Sequence, residues 1–365
     1  MDRRITRGIV TAGCFAQLTC WARPLPTQTH RKGAAGSSIS SYQPYVPDTV
    51  SPEAQQVLRM MTGPQSLPLP GPNDIEGWKK IRGYVPPQLQ EIAKNPEISK
   101  RTSDAIKRYP STSKKGNLGG VPVVEIASEK WQDDGRVLVY VHGGGYVTGG
   151  PDFGLGGWVS GETGLRIISV GYTLAPEAKW DRITDQVVSV LRALEQQGYA
   201  PKDIVVLGDS AGGGLAAGAL LKMRDKGLGI PGALVLWSPW SDITETGDTY
   251  VTLKRADPLL NYKLLLKKAA DAYADPKDQK NPYVSPVYGD YSKGFPPTLI
   301  QGGTKDIFLS NCVREYRAID SAGGTAVLDI YEGMPHVFQG IVFGTPETQQ
   351  SMVKMKQFLA TYLGK

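Results

Sequence analysis

The stretch Ile204-Val205-Val206-Leu207-Gly208-Asp209-Ser210-Ala211-Gly212 decides the fold. Its first four residues make the apolar run of a buried strand, and over 213–226 the apolar spacing turns helical. Between strand and helix sits G-x-S-x-G. Glycines two before and two after the serine let the backbone turn sharply and lift a hydroxyl above the strand ends, at a helix N-terminus. The pattern alone is weak: with 43 glycines in 365 residues and serine at roughly 6%, chance supplies on the order of 0.3 matches. A strand before it and a helix after it lift it above that background, and Ser210 becomes a candidate nucleophile.

Outward from this turn, short β-branched runs alternate with helical patterns. Strands are expected at 121–126, 137–141, 167–170, 204–207, 233–237, 298–301 and 327–331, and helices at 182–197, 213–226, 311–321 and 352–363. Near-continuous apolar strands separated by helices imply an α/β fold with a mostly parallel central sheet and helices on both faces. The rhythm breaks once, between Trp240 and Phe295, where a helical pattern at 261–273 belongs to an insertion placed to hang over the strand ends. Upstream, 52–61 and 73–94 show helical spacing, broken at Pro86-Pro87, and 95–109 adds another short helix. Residues 32–52, rich in Ser, Gly, Pro and Tyr, read as a linker or extended arm.

A serine hydroxyl is a poor nucleophile and needs a base to take its proton. In α/β hydrolases the chain order is serine, acid, histidine, and of His30, His142 and His336 only His336 follows Ser210. It lies just beyond the strand at 327–331, on the same strand-end side as Ser210. Asp306, which follows the strand at 298–301, is the expected acid; Asp242, after the strand at 233–237, is the alternative, and Asp329 sits inside a strand as a structural residue. His142-Gly143-Gly144-Gly145 ends the strand at 137–141. Glycine N–H groups approach a developing oxyanion without a side chain in the way, so Gly144 and Gly145, with the N–H of Ala211, are candidate oxyanion donors. A phosphate loop would need Gly-Lys-Ser/Thr or G-x-G-x-x-G, and neither follows here. His142 precedes the nucleophile and reads as structural.

Composition narrows the function classes. Lys and Arg number 41 against 35 Asp and Glu, but residues 1–32 hold Arg3, Arg4, Arg7, Arg23, Arg31 and Lys32 against Asp2 alone, leaving 35 against 34 elsewhere. That balance offers no basic patch, so no nucleic-acid partner is expected. No run of 18 apolar residues occurs, so no membrane-spanning helix is expected. The basic start, the weakly apolar 8–22 and the end Cys20-Trp21-Ala22 read as a secretory signal cleaved after Ala22, which implies a periplasmic or secreted protein. A frayed cytoplasmic N-terminus and a lipoprotein signal acylated at Cys14 are the alternatives. One cysteine, Cys312, remains past the leader, which excludes a disulfide framework, and with three histidines no zinc site or other metal is expected.

HGGG at 142–145, GDSAGG at 208–213 and Tyr172-Thr173-Leu174-Ala175-Pro176-Glu177, beside the usual Y-R-L-A-P-E, together resemble the hormone-sensitive-lipase family of bacterial esterases. The resemblance covers roughly 115–365 and implies an α/β-hydrolase fold with a helical cap made of an N-terminal segment and an insertion. It implies cap segments at 51–112 and about 240–290 and a catalytic domain at 113–365, behind the signal peptide at 1–22 and arm at 23–50 read from composition. It departs at Thr173 and at Ser310, where many members carry Arg and a second Asp. Implied are a cofactor-free serine carboxylesterase acting through an acyl-enzyme on small esters or lactones, near the monoterpene ε-lactone hydrolases, and a possible homodimer. An amidase or deacetylase would use the same atoms, and a small-ligand receptor on a hydrolase fold is a further alternative. Tyr146, Trp240 and Phe338 flank the candidate loops and are expected to wall an apolar pocket, favouring acyl groups of roughly two to eight carbons.

Overall fold

The computed structural model describes residues 45–64 and 68–363; the leader, with its signal-peptide reading, lies outside them. Among the described residues eight strands form one sheet: β1 (Ser111–Leu118), β2 (Val121–Ser128), β3 (Val137–Val141), β4 (Arg166–Val170), β5 (Ile204–Asp209), β6 (Ala233–Trp237), β7 (Thr298–Gly303) and β8 (Ala326–Tyr331), in spatial order β1-β2-β4-β3-β5-β6-β7-β8. β2 runs antiparallel to both its neighbours, and β3 to β8 are all parallel.

Alternate residues of these strands go to opposite faces, as the two-residue period of a strand requires. Val137, Val139, Val206, Leu234 and Leu236 pack with Ile183, Val187, Leu191, Leu215 and Leu220 from the helices Trp180–Gln196 and Ala211–Asp225. Leu138, Tyr140, Val205, Leu207 and Val235 pack on the other face with Trp158, Met352, Met355 and Phe358 from the helices Gly156–Thr163 and Pro346–Tyr362. With a helical layer on each face, β3, β5, β6 and β7 are buried along their whole length.

Besides short turns such as Thr249–Thr252 and Phe338–Ile341, one strand and one longer helix escaped the sequence reading. β1 is STSKKGNL, exposed at six of its eight positions, and forms an antiparallel edge hairpin with β2. Lys114 and Lys115 suit an edge that must not pair with another chain, but they erase the apolar alternation by which a strand is recognised. The helix Gly156–Thr163, sequence GGWVSGET, lies between the sheet and the C-terminal helix, and its short run of small and polar residues carries no apolar stripe at helical spacing. The C-terminal helix also begins earlier than expected, at Pro346 behind the turn residue Gly344.

The register sets the chemistry. Val141 pairs with Gly208, Gly208 with Leu236, Trp237 with Gln301 and Gly303 with Tyr331. The loops after β3, β5, β7 and β8 therefore leave the same edge of the sheet, and those four loops carry His142-Gly145, Ser210, Asp306 and His336.

The N-terminal helices Pro52–Arg59, Ile75–Ile81, Pro87–Lys94 and Pro96–Lys107 reach this edge too. Val57, Leu58, Leu89, Ile92 and Ile98 form an apolar cluster with Met334, Phe338 and Val342 around the His336 loop. The insertion between β6 and β7 contributes Tyr250, Tyr262, Leu266, Ala269 and Tyr273 to the main core beside Trp78 and Tyr146. Its helical pattern resolves into a π-helical turn, Tyr262–Leu266, and a helix, Lys267–Tyr273. Gln88 Nε2 donates to Pro258 O at 3.0 Å and Lys268 Nζ to Leu69 O at 2.6 Å, so the two non-sheet segments hold each other.

Candidate active site

Ser210 sits at the turn between β5 and the helix Ala211–Asp225 with φ +53° and ψ −124°, a region that L residues rarely enter. Three backbone bonds fix it there: Ser210 N–H donates to Trp237 O at 2.9 Å, and Ser210 O accepts from Trp240 N at 2.8 Å and Gly213 N at 3.0 Å. The flanking glycines are demanded by close approach. A Cβ on Gly212 would stand 2.1 Å from Val141 O.

His336 comes off β8 and reaches back over the sheet. Its Nε2 lies 2.9 Å from Ser210 Oγ and its Nδ1 lies 2.9 Å from Asp306 Oδ2. The other Asp306 oxygen accepts the N–H of Phe308 at 2.8 Å, which orients the carboxylate. Burial opposes a charge on the imidazole, but the Asp306 charge and hydrogen bond, with Asp257 and Asp209 farther off, outweigh it and hold the His336 pKa above its ordinary value. Asp242 is elsewhere: its carboxylate accepts from Arg314 at 2.7 Å, Tyr288 at 2.9 Å and Thr244. Asp329 accepts from Gln301 and Tyr331, a structural position.

After β3 the chain turns through Gly144, whose φ of +100° and whose missing Cβ, 2.4 Å from Thr148 O if present, both require glycine. Gly145 and Tyr146 continue in the left-handed region. Ala211 opens the helix, where backbone N–H groups lack intrahelical partners. His142 stacks on Tyr172 with centroids 4.1 Å apart and its Nδ1 meets Gly143 O at 2.8 Å; burial drops its pKa to about 4, so the ring is neutral. A neutral ring packed beneath the loop is a support.

Above the loop, Tyr146 stacks on Tyr273 at 3.6 Å and on Trp240 at 5.6 Å, Trp240 on Phe308 at 5.6 Å, and Phe308 meets His336 edge-on at 5.0 Å. A continuous aromatic stack thus runs from the insertion to His336. Phe338 is not part of it. That ring is fully buried among the N-terminal helices, 4.8 Å from Tyr331. It packs in the apolar cluster around the His336 loop, and like Tyr146 and Trp240 it has no exposed surface.

A family profile described as the α/β hydrolase fold matches residues 138–340. An acetyl-hydrolase of Streptomyces hygroscopicus is 32% identical over 259 residues, 68% of this chain and 86% of that protein. An ethyl acetate hydrolase of Pseudomonas putida is 28% identical, covering 64% of this chain and 76% of its own. The crystal structure of an esterase from the bacterial hormone-sensitive lipase family superposes with TM-score 0.67 at 30% identity, covering 74% of this chain and all of the other. The chain belongs to the α/β-hydrolase fold family.

In this α/β hydrolase the departures from the bacterial hormone-sensitive-lipase pattern have local substitutes. Thr173 is held by Gln186 through its N–H and hydroxyl, while Glu177 pairs with Arg82 at 3.2 Å and Lys79 at 3.4 Å from the N-terminal helices. Ser310 exchanges hydrogen bonds with Thr249 of the insertion.

Sequence reasoning missed two buried carboxylates here. Asp209, inside the G-x-S-x-G pattern itself, accepts from the Tyr140 hydroxyl and from Gly143 N–H at 3.0 Å, which ties the glycine loop to the serine turn. Burial raises its pKa, and those two donors oppose the rise. Asp257, in the insertion, is fully buried beside Asp306. Asp209 had a signal, its place next to Ser210; Asp257 had none, since 49 residues of chain separate it from Asp306.

Proposed function

We propose that this carboxylic ester hydrolase works as a serine esterase on small esters or lactones. Ser210 Oγ attacks the carbonyl while His336 Nε2 takes its proton, and Asp306 holds the imidazole in the tautomer that leaves Nε2 free to accept. The N–H groups of Gly144, Gly145 and Ala211 receive the oxyanion. The tetrahedral intermediate expels the alcohol, protonated by His336, and the acyl-enzyme is then hydrolysed by a water that the same histidine activates.

The observation that carries this reading is the unbroken line from Ser210 Oγ through His336 to Asp306, 2.9 Å at each step. The segments 51–112 and 240–290 serve as the cap, and the aromatic stack from Tyr273 to Phe308 supports a small acyl site. The basic, cleavable-looking leader supports export, for which the mature N-terminus near Arg23, read by mass spectrometry from the native host, is the test.

Replacing Ser210 with Ala tests the chemistry. Turnover of p-nitrophenyl acetate should fall by roughly three orders of magnitude or more with the fold intact by circular dichroism, residual catalysis coming from the oxyanion donors and binding alone. Retention of more than about a tenth of wild-type turnover removes Ser210 from the mechanism.

A further inference from the structure

Asp257 lies in the insertion, far from the candidate triad in sequence and against it in space. Its Oδ2 accepts the N–H of Ile307 at 2.8 Å, and Ile307 is the residue directly after Asp306. Its Oδ1 accepts the N–H groups of Leu259 at 2.7 Å and Leu260 at 2.8 Å. Asp306 accepts from the next N–H, that of Phe308. Two consecutive amides of the acid loop are thus held by two carboxylates, one from the loop and one from the insertion, and both side chains are completely buried.

We propose that Asp257 is a positioning residue of the esterase reaction, fixing the Asp306 loop from the cap and adding its negative charge to the field around His336. This rests on the serine-esterase reading above.

A buried carboxylate without a cation beside it is costly, and three amide donors offset only part of that cost. Burial and the charge of Asp306 push the Asp257 pKa up to about 7 against the pull of the three donors, so its negative charge acts on His336 from about neutral pH upward, where the raised His336 ionisation lies. Leucine would leave the three N–H groups unpaired and asparagine would turn its NH2 on at least one of them, so the site is built for two acceptor oxygens. A carboxylate acts differently. It accepts from two loops at once and stabilises the imidazolium that forms when His336 takes the serine proton. The groups facing the imidazole with charge are Asp306, Asp257 and Asp209, and each raises its pKa. Cys312 is the other titratable group against Asp306, and burial and that charge keep its thiol protonated.

The isosteric Asp257→Asn removes the charge and keeps an acceptor oxygen, whereas Asp257→Ala removes both. Each variant should be assayed against a short p-nitrophenyl ester from pH 5 to 9. Active sites should be counted by stoichiometric labelling with a diethyl p-nitrophenyl phosphate, so that kcat refers to folded sites only. For Asn the expected result is a kcat per site about tenfold or more below wild type, KM within about twofold, and an acid limb of kcat/KM moved to lower pH. Losing a negative neighbour lowers the pKa of His336, and the neutral ring is the active form. Ala should lose more. Unchanged kcat per site, or a lowered kcat with the acid limb unmoved, overturns the proposal. So does an Asn variant without labelled sites even when expressed in the cold, because Asp257 would then be needed for folding only. Ser210→Ala run alongside separates the failures: if it stays active the esterase reading falls, and if it is dead while the Asp257 variants behave as wild type only this inference falls.

Discussion

Arg314 Nη1 lies 2.7 Å from Asp242 Oδ2, and this ion pair, closed further by Tyr288 and Thr244, occupies a carboxylate that stands on one of the two loops able to supply a hydrolase acid. Asp306 has no such cation and faces His336. The two aspartates should therefore fail in different ways. Asp306→Asn should lower kcat by roughly four orders of magnitude, the amide favouring the wrong imidazole tautomer, with little change in melting temperature. Asp242→Asn should cost on the order of 2 kcal/mol of stability, because it weakens the partner of a half-exposed arginine, and leave kcat within about twofold. Parallel melting curves and kinetics decide it, and the opposite pattern moves the acid to Asp242.

These residues also mark how far the sequence could be read. The strand–turn–helix around Ser210 and the parallel run β3 to β8 were legible because buried strands and tight turns leave short-range patterns. β1 was not, since an edge strand exposed on most positions carries Lys114 and Lys115 where a reader looks for alternation. Asp306 is the expected acid and Asp242 the alternative, because both follow a strand; distance separates them, Asp306 lying 2.9 Å from His336 while Asp242 pairs with Arg314. Asp257 was illegible because the insertion is irregular and no period fixes where its side chain goes.

The pH profile follows from the sign of the His336 shift. Burial works against the imidazolium, but Asp306 and the more distant Asp257 and Asp209 prevail, so the pKa is raised. The neutral ring accepts the serine proton, so kcat/KM should climb with pH along one ionisation whose midpoint lies above the reference histidine value of about 6.5, then level off. An acid limb centred below about 6 would show that burial outweighs the carboxylates.

Glu315 gives a separate test of stability. It is fully buried, accepts the hydroxyl of Tyr291, and burial pushes its pKa up to about 8. A carboxyl whose pKa is raised by folding is favoured in its neutral form. Its contribution is complete below the unfolded value near 4.3 and disappears as pH rises through about 8. Glu315→Gln has no such proton to lose. The variant should melt progressively higher relative to wild type between pH 6 and 9, and a difference that stays constant over that range would place the charge elsewhere.

Substrate size is the sharpest consequence of the aromatic stack. Tyr273, Tyr146, Trp240 and Phe308 lie ring against ring with no exposed surface, and the last of them touches His336. An acyl chain growing from Ser210 toward this stack gains at most about 0.8 kcal/mol for each methylene that fits, and beyond the available space it must displace close-packed rings at a cost of roughly 1–3 kcal/mol. Activity should peak at a short acyl chain and fall steeply. Trp240→Ala removes the ring between Tyr146 and Phe308, opening a cavity at a cost of about 3–5 kcal/mol in stability. Longer chains can then enter that cavity, so the optimum should shift upward even as the protein melts earlier. The measurement is kcat/KM across p-nitrophenyl esters of increasing length for wild type and variant. A wild-type maximum at a long-chain ester would show that the acyl group leaves in another direction, and an unchanged optimum in Trp240→Ala would show that this ring does not limit the acyl site.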